Sequence, residues 1–346
     1  MSVGALVVSF DFEMGWSLRR SPQITPQFAV LDAMRDVVPR MLEILNRYQI
    51  SATWATVGHL LLRPQDCPGG RFSYDLPQPR FSWFRGDWFS GIPRFGEQGW
   101  QWFYAPDLVE QIVNADTYQE LGTHTFSHID VGDRGCPKEL ARAEFKLCQD
   151  LARNWGRTLH SVVFPHNFAG HLDALEETGY HCYRGENNEW YWFGLGPNGV
   201  LHPKLARLFL QPLRYVDERW PMTPTLAAVR RSGNLWQIPH SMFFSGFDGI
   251  SKHISAADRV RRASLGMRRA AKLGRVFSLY THPENLIRGS DQLLGAFDKI
   301  CHEAAELREA GKLDILTMED VAARMQAAHN KTYEPESVPV LLRAAS

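Results

Sequence analysis

"ALVVSFDFE", residues 5–13, sets the terms for the whole chain. Its first six residues form a short apolar run, rich in β-branched side chains. Such a run reads as a strand buried on both faces, as in a parallel sheet. It ends at Asp11. Strand alternation puts Asp11 and Glu13 on one side and Phe12 on the other. Carboxylates at the end of a buried strand need a partner, either a cation or an arginine. These residues alone leave both partners open.

Outward from this strand, helical and strand-like patterns alternate. Residues 31–48 carry apolar positions at helical spacing, and Pro39 is expected to kink or divide that helix. Residues 50–60 read as a strand with its exit loop. Pro106 and Asp107 open a helix over 106–115. A short strand leads into "ELGTHTFSH" (120–128), and a helix over 137–156 closes at Gly156. A strand over 160–167 stops at Pro165, and a short helix ends before Gly179. Strands follow at 181–185 and 235–241, a helix at 255–274, a strand and loop at 275–285, and a helix at 290–311. A last strand and helix lie over 312–325. The pattern predicts an α/β fold with about seven parallel strands, as an open sheet or barrel. Two stretches interrupt it, near 64–104 and 186–220. They read as long insertions rich in aromatic residues, within a single domain over 1–330. Residues 331–346 read as a tail. Insertions of this length usually carry function.

Composition narrows the class. Lysine plus arginine equals aspartate plus glutamate, 38 each. With no basic block, nucleic acid is excluded as the main partner. The five cysteines are odd in number and widely spaced, with no CxxC pair, which fits a reducing compartment and no cysteine metal site. The apolar N-terminus has no basic segment before it, so no secretion signal is expected. No window reaches the length of a membrane span. The expected location is cytoplasmic. The sequence sets no oligomeric state.

The polar residues fall into an order. Asp11, Glu13, His59, His124, His128, His166, His240 and His282 all stand at or just past predicted strand ends. In a parallel barrel those ends converge on one face. Within "ELGTHTFSH", His124 and His128 are four apart. If the segment is helical they face the same way and reach one ion about 2 Å from each. A hydrogen-bonded pair in the first turn of a helix is the other reading. In "SLYTHPENL" (278–286), His282 is held by Pro283, either as an acid or base near neutrality or as a loop cap.

With these segments in hand, the chain resembles the polysaccharide deacetylase family (carbohydrate esterase family 4, the NodB-homology group). "SFDFE", "ATWATVGHL", "ELGTHTFSH", "VVFPHN" and "LYTHPEN" follow the family's motif order from about residue 5 to 290. The resemblance implies a distorted (β/α) barrel that hydrolyses acetamide groups on amino sugars, or acetyl esters, with a divalent metal, most often zinc. Carried over, His124 and His128 are metal ligands, Asp11 is the general base and His282 the general acid. The family's metal-binding aspartate directly follows the base. Here Phe12 holds that place, and Glu13 is the substitute ligand. This D-x-E spelling is similar to an intracellular branch that includes allantoinase-like amidases.

The third motif lacks its arginine. His166 and Asn167 follow Pro165 instead, and Arg184 is expected to supply the positive charge beside Asp11. Arg184, His166, Asn167, Trp88 and Trp102 are expected on the substrate side. The tryptophans either stack on sugar rings or pack the insertions onto the barrel. The resemblance and the expected address imply an acetylated nucleotide- or lipid-linked amino sugar, or a surface-polysaccharide intermediate of the O-antigen or lipopolysaccharide kind. The alternatives are an allantoinase-like amidase on a small C–N substrate and a non-catalytic carbohydrate-binding protein on a degenerate barrel.

Overall fold

β1 (Gly4–Phe12) is an interior strand of the sheet, and all nine of its residues are buried. The computed structural model describes residues 3–20, 28–185, 215–216 and 226–333. On one side β1 pairs in parallel with β9 (Val276–Thr281), from Ala5 opposite Val276 to Phe10 opposite Thr281. Its C-terminal half pairs with β2 (Thr53–Thr56), and its N-terminal half with β10 (Leu313–Leu316). The other strands are β3 (Glu120–Thr123), β4 (Ser161–Val162), β5 (Cys182–Gly185), β6 (Arg230–Ser232), β7 (Leu235–Pro239) and β8 (Met242–Phe243). The order is β6-β7-β5-β4-β3-β2-β1-β9-β8, with β10 also on β1. All pairs are parallel except the β6–β7 hairpin. The sheet curls into a half-barrel. The count exceeds the expected seven because β6 and β8 are only three and two residues long, too short to leave a periodic signal; β10 is the last strand expected from 312.

The helices follow the amphipathic pattern. α1 (Phe28–Arg47) buries Leu31, Met34, Val38, Met41 and Leu45 along one stripe. Pro39 sits inside it without dividing it. α2 is Pro106–Val113, α3 Lys138–Arg153 and α4 Leu172–Glu177. α5 (Ala256–Leu273) starts with a reciprocal cap between Ser255 and Asp258. It stops where Gly274 turns left-handed at φ 61°. α6 (Ser290–Glu309) and α7 (Met318–Tyr333) complete the set.

Residues 64–104 contain short 3-10 turns and no strand. Their rings pack inward. Tyr74 stacks on Phe89 with centroids 3.9 Å apart, and both lie against Phe126. His59, expected on the catalytic face, belongs to this packing. It is fully buried, and its Nδ1 donates to the Phe103 carbonyl at 2.9 Å. The Tyr74 hydroxyl then donates to Nε2 at 2.7 Å. Burial pulls His59 down to about 3, so it stays neutral. The 186–220 insertion lies outside the described residues apart from 215–216, as do residues 334–346.

One buried acid marks the opposite end of the strands. Glu120 opens β3 and accepts from Thr53 Oγ1 at 2.5 Å and Glu319 N at 3.2 Å. Burial, with the Glu319 charge adding to it, pushes Glu120 up to about 7. The unfolded carboxyl titrates near 4.5. Its contribution to stability is therefore full below about pH 4.5 and is lost as pH rises through 7. Glu120→Gln keeps both acceptor bonds and cannot ionise. Relative to wild type it is expected to gain up to about 3 kcal/mol between pH 5 and pH 8. Denaturant titrations at both pH values check this, and a parallel pH dependence in the two proteins rejects it.

Candidate active site

The pleat of β1 sends Phe12 into the core, edge-on to Trp54, and turns Asp11 and Glu13 to the other side. Both carboxylates are at most 5% exposed. That explains why the second acid of this strand is two residues after the first: the intervening side chain belongs to the core.

Asp11 meets Arg184 from β5. Nη1 donates to Oδ1 and Nη2 to Oδ2, both at 2.6 Å. The guanidinium lies over the Tyr280 ring, 4.2 Å from its centroid, and Nη2 also donates to Asn167 Oδ1 at 3.2 Å. Burial raises the Asp11 carboxyl, but Arg184 outweighs it and holds Asp11 below the usual aspartate range. The arginine missing from "VVFPHN" thus has a counterpart one strand further on.

Glu13 faces the two histidines. His124 Nε2 is 2.9 Å from Oε1, and His128 Nε2 is 3.4 Å from Oε2. The histidine segment is not helical. Thr125 and His128 both adopt left-handed backbone, at φ 62° and 58°, and that turn brings the rings to 5.0 Å. The loop is pinned from α3. Ser127 donates to the buried Glu144 through its N–H at 2.9 Å and its Oγ–H at 2.6 Å. Burial pushes Glu144 up to about 7. Trp88 is buried beneath this loop and gives its indole N–H to the Ser127 carbonyl at 3.1 Å. It offers no face to a substrate, which corrects the expectation for it. Trp102 gives its N–H to Asp32 on α1 at 2.8 Å, joining the insertion to the barrel.

His282 reaches the same carboxylates from the end of β9. Its Nε2 is 3.3 Å from Glu13 Oε1 and 3.6 Å from Asp11 Oδ2. Burial pulls it down, but Glu13 and the hydrogen bond to it, with Glu284 and Asp11, push it up to about 10. Asn285 Nδ2 faces His282 Nδ1 at 3.4 Å and Thr281 Oγ1 at 3.2 Å. His166 stands beside His128, its Nδ1 2.6 Å from Asp130 Oδ1. His240, at the end of β7, packs on Tyr280 and is pulled down to about 4 by burial and then by Arg184. Sequence reasoning missed Asn285, Glu144 and Asp130. Asn285 lies three residues past His282 and Asp130 two past His128, so local spacing was the available signal for both. Glu144 had none.

The donor set suits a divalent cation. One atom each of Glu13, His124 and His128 lies within 4.8 Å of the others. His124 Nδ1 donates to the Val163 carbonyl at 2.7 Å, so its other nitrogen turns a lone pair toward the Glu13 carboxylate. Two acceptors 2.9 Å apart need a positive charge between them, a proton or a metal. Among the described residues the buried His128 Nε2 has no hydrogen bond, and it faces the same carboxylate, 3.4 Å from Glu13 Oε2. Two imidazoles and one carboxylate are a zinc-type ligand set with room for substrate. Asp11, Glu13 and His282 form a second, overlapping group. Arg184 already neutralises Asp11 there, so charge balance favours the first.

Over residues 12–181 the sequence matches the family model described as polysaccharide deacetylase. Comparison with curated protein sequences gave no match. Among solved structures, the fold is similar to a putative polysaccharide deacetylase from Mycobacterium smegmatis, 13% identical, with TM-score 0.60 over 96% of this chain and 93% of that one. It is also similar to a probable polysaccharide deacetylase from Pseudomonas aeruginosa PAO1, 11% identical, with TM-score 0.54 over 94% and 91%. The Puue allantoinase, 13% identical, gives TM-score 0.55 over 94% and 90%. At these identities the structural likeness establishes the fold. Residues 12–181, with the motifs in "SFDFE" and "ELGTHTFSH", are thus similar in sequence to the polysaccharide deacetylase family, and the whole chain shares that fold.

Proposed function

We propose that this chain is a metal-dependent deacetylase that removes an N-acetyl, or O-acetyl, group from an amino sugar. The observation that carries the reading is the convergence of Glu13, His124 and His128 beside the Asp11–Arg184 pair and His282. Glu13, His124 and His128 would hold the metal, with zinc the best match to two imidazoles and a carboxylate. When bound there, it supplies Lewis-acid polarisation of a carbonyl and a hydroxide source near neutral pH.

The chain's own residues do the rest. Asp11 takes a proton from the attacking water. Arg184 holds both of its oxygens in place, and each keeps a second lone pair for that proton. His282 gives a proton through Nε2 to the departing amine, which leaves poorly without it. Tyr280 packs its ring on the Arg184 guanidinium and helps to hold it in place. Five buried, unbridged cysteines support a reducing compartment. On that basis the substrate is a nucleotide- or lipid-linked amino sugar or a surface-polysaccharide intermediate of the O-antigen kind. Among the described residues no helix is long and apolar enough to cross a membrane.

Release of acetate from an N-acetylated amino sugar tests the reading. Activity is expected to fall on chelation and return with zinc. The likeness to an allantoinase fold and the D-x-E spelling motivate a second arm, ring opening of allantoin. Turnover of allantoin with none of the N-acetyl sugar rejects the deacetylase in favour of the small-molecule amidase.

A further inference from the structure

His166 is an imidazole that this mechanism leaves idle, although it stands against the ligand set. Its ring is T-shaped to that of His128, with centroids 5.2 Å apart. Its Nδ1 is 2.6 Å from Asp130 Oδ1, and Asp130 is 2% exposed. The carboxylate accepts, so the ring's Nδ1 proton belongs to that bond, and the neutral ring keeps its lone pair on Nε2. Nε2 makes no hydrogen bond among the described residues, and the side chain is 38% exposed. A fixed acceptor therefore opens to solvent next to the metal ligands.

The placement is imposed by its surroundings. His166 and Asn167 are consecutive non-glycine residues with left-handed backbone, at φ 54° and 55°. Such conformations persist only where neighbours over-determine them. Asp130 holds the ring of the first. Arg184 Nη2 holds the side chain of the second, and the same guanidinium grips Asp11. One arginine thus fixes both the carboxylate and the turn that presents His166.

We propose that His166, oriented by Asp130, is a specificity-determining residue that accepts a hydrogen bond from a donor on the substrate, a hydroxyl or the acetamide N–H of an amino sugar. This rests on the amino-sugar reading above. It gives the wall beside His128 a binding role, distinct from the proton transfer on the His282 side.

Two near-isosteric variants separate the ring nitrogens. In His166→Asn the amide nitrogen replaces Nδ1, so the Asp130 bond stays and the outer acceptor is lost. In His166→Gln the amide group reaches the Nε2 position and restores an acceptor. The probes are an N-acetylglucosamine oligomer, which carries both donors, and p-nitrophenyl acetate, which carries neither. For His166→Asn, the KM rise on the oligomer is expected to exceed that on p-nitrophenyl acetate by at least tenfold, with KM changing more than kcat. His166→Gln should recover most of that loss. A wild-type KM in His166→Asn, or equal losses on both probes, overturns the proposal. If the wild type binds the oligomer by titration calorimetry but does not hydrolyse it, the deacetylase reading falls. His166 then stands if His166→Asn weakens that binding tenfold and falls if it does not. A wild type that neither binds nor hydrolyses the oligomer overturns both.

Discussion

Asp11→Asn is expected to lower kcat for deacetylation by about a hundred- to ten-thousand-fold, the usual contribution of a positioned proton-transfer group. Asparagine has the same shape and occupies the same space at the end of β1. It presents an amide N–H₂ to one of the two Arg184 nitrogens that now donate to carboxylate oxygens. It therefore removes both the proton acceptor and half of the bidentate contact. Arg184→Ala separates these effects. It leaves the Asp11 carboxylate chemically intact but buried with its charge unanswered. Breaking one side of a buried pair costs about 3–5 kcal/mol. Arg184→Ala should accordingly lose most of its stability margin together with activity. Asp11→Asn keeps one Arg184 hydrogen bond but leaves that buried guanidinium without its counter-charge, so it should lose stability as well as activity. Arg184→Lys should fall between wild type and Arg184→Ala, since an ammonium cannot span both oxygens. Steady-state kinetics and denaturant titrations on the three variants decide it. Most of the turnover surviving in Asp11→Asn would exclude Asp11 as the base. Unchanged activity in Arg184→Ala would remove Arg184 from the site.

His124→Ala is expected to abolish stoichiometric metal and with it deacetylation. The variant leaves Glu13 and His128 as two donors around a point that three now share. It also removes the Nδ1 bond to Val163, which fixes the direction of the lone pair. Metal analysis of the purified wild type beside the variant measures the first effect. About one zinc per chain is expected in the wild type and none in His124→Ala after desalting. Thermal melts give a readout independent of turnover. A metal that binds the folded chain raises Tm, so chelator should lower Tm in the wild type and leave that of the variant unmoved. Absence of metal from both proteins, with chelator-insensitive activity, would move the site to metal-independent amide hydrolysis.

Some of this architecture was legible along the chain and some was not. The apolar run of β1 and the helical stripe of α1 carry their own periodicity, so each predicts its element. The pleat of β1 likewise places Asp11 and Glu13 together and Phe12 apart. His124, His128 and His282 fall at strand ends, and a curled parallel sheet gathers strand ends on one side. The conformation of the histidine loop was not legible. A spacing of four suggests a helix, but two left-handed residues and the grip of Glu144 make a turn that brings the same rings together. Nor was the fate of the aromatic residues. Trp88 and His59 have the composition of a binding surface and the burial of a core, because residues 64–104 fold back onto the barrel rather than away from it.

The sequence by itself determined the α/β alternation, the chemistry of the strand ends and which side of each strand a residue occupies. Those properties depend on a handful of neighbouring residues and on a repeat of two or 3.6. Only the tertiary structure decided that Arg184 on β5 reaches Asp11 on β1, that His282 on β9 reaches Glu13, and that Asp130 orients His166. The first of these contacts joins groups 173 positions apart. Such contacts are set by how far the sheet curls and in what order its strands lie, and no local periodicity encodes either.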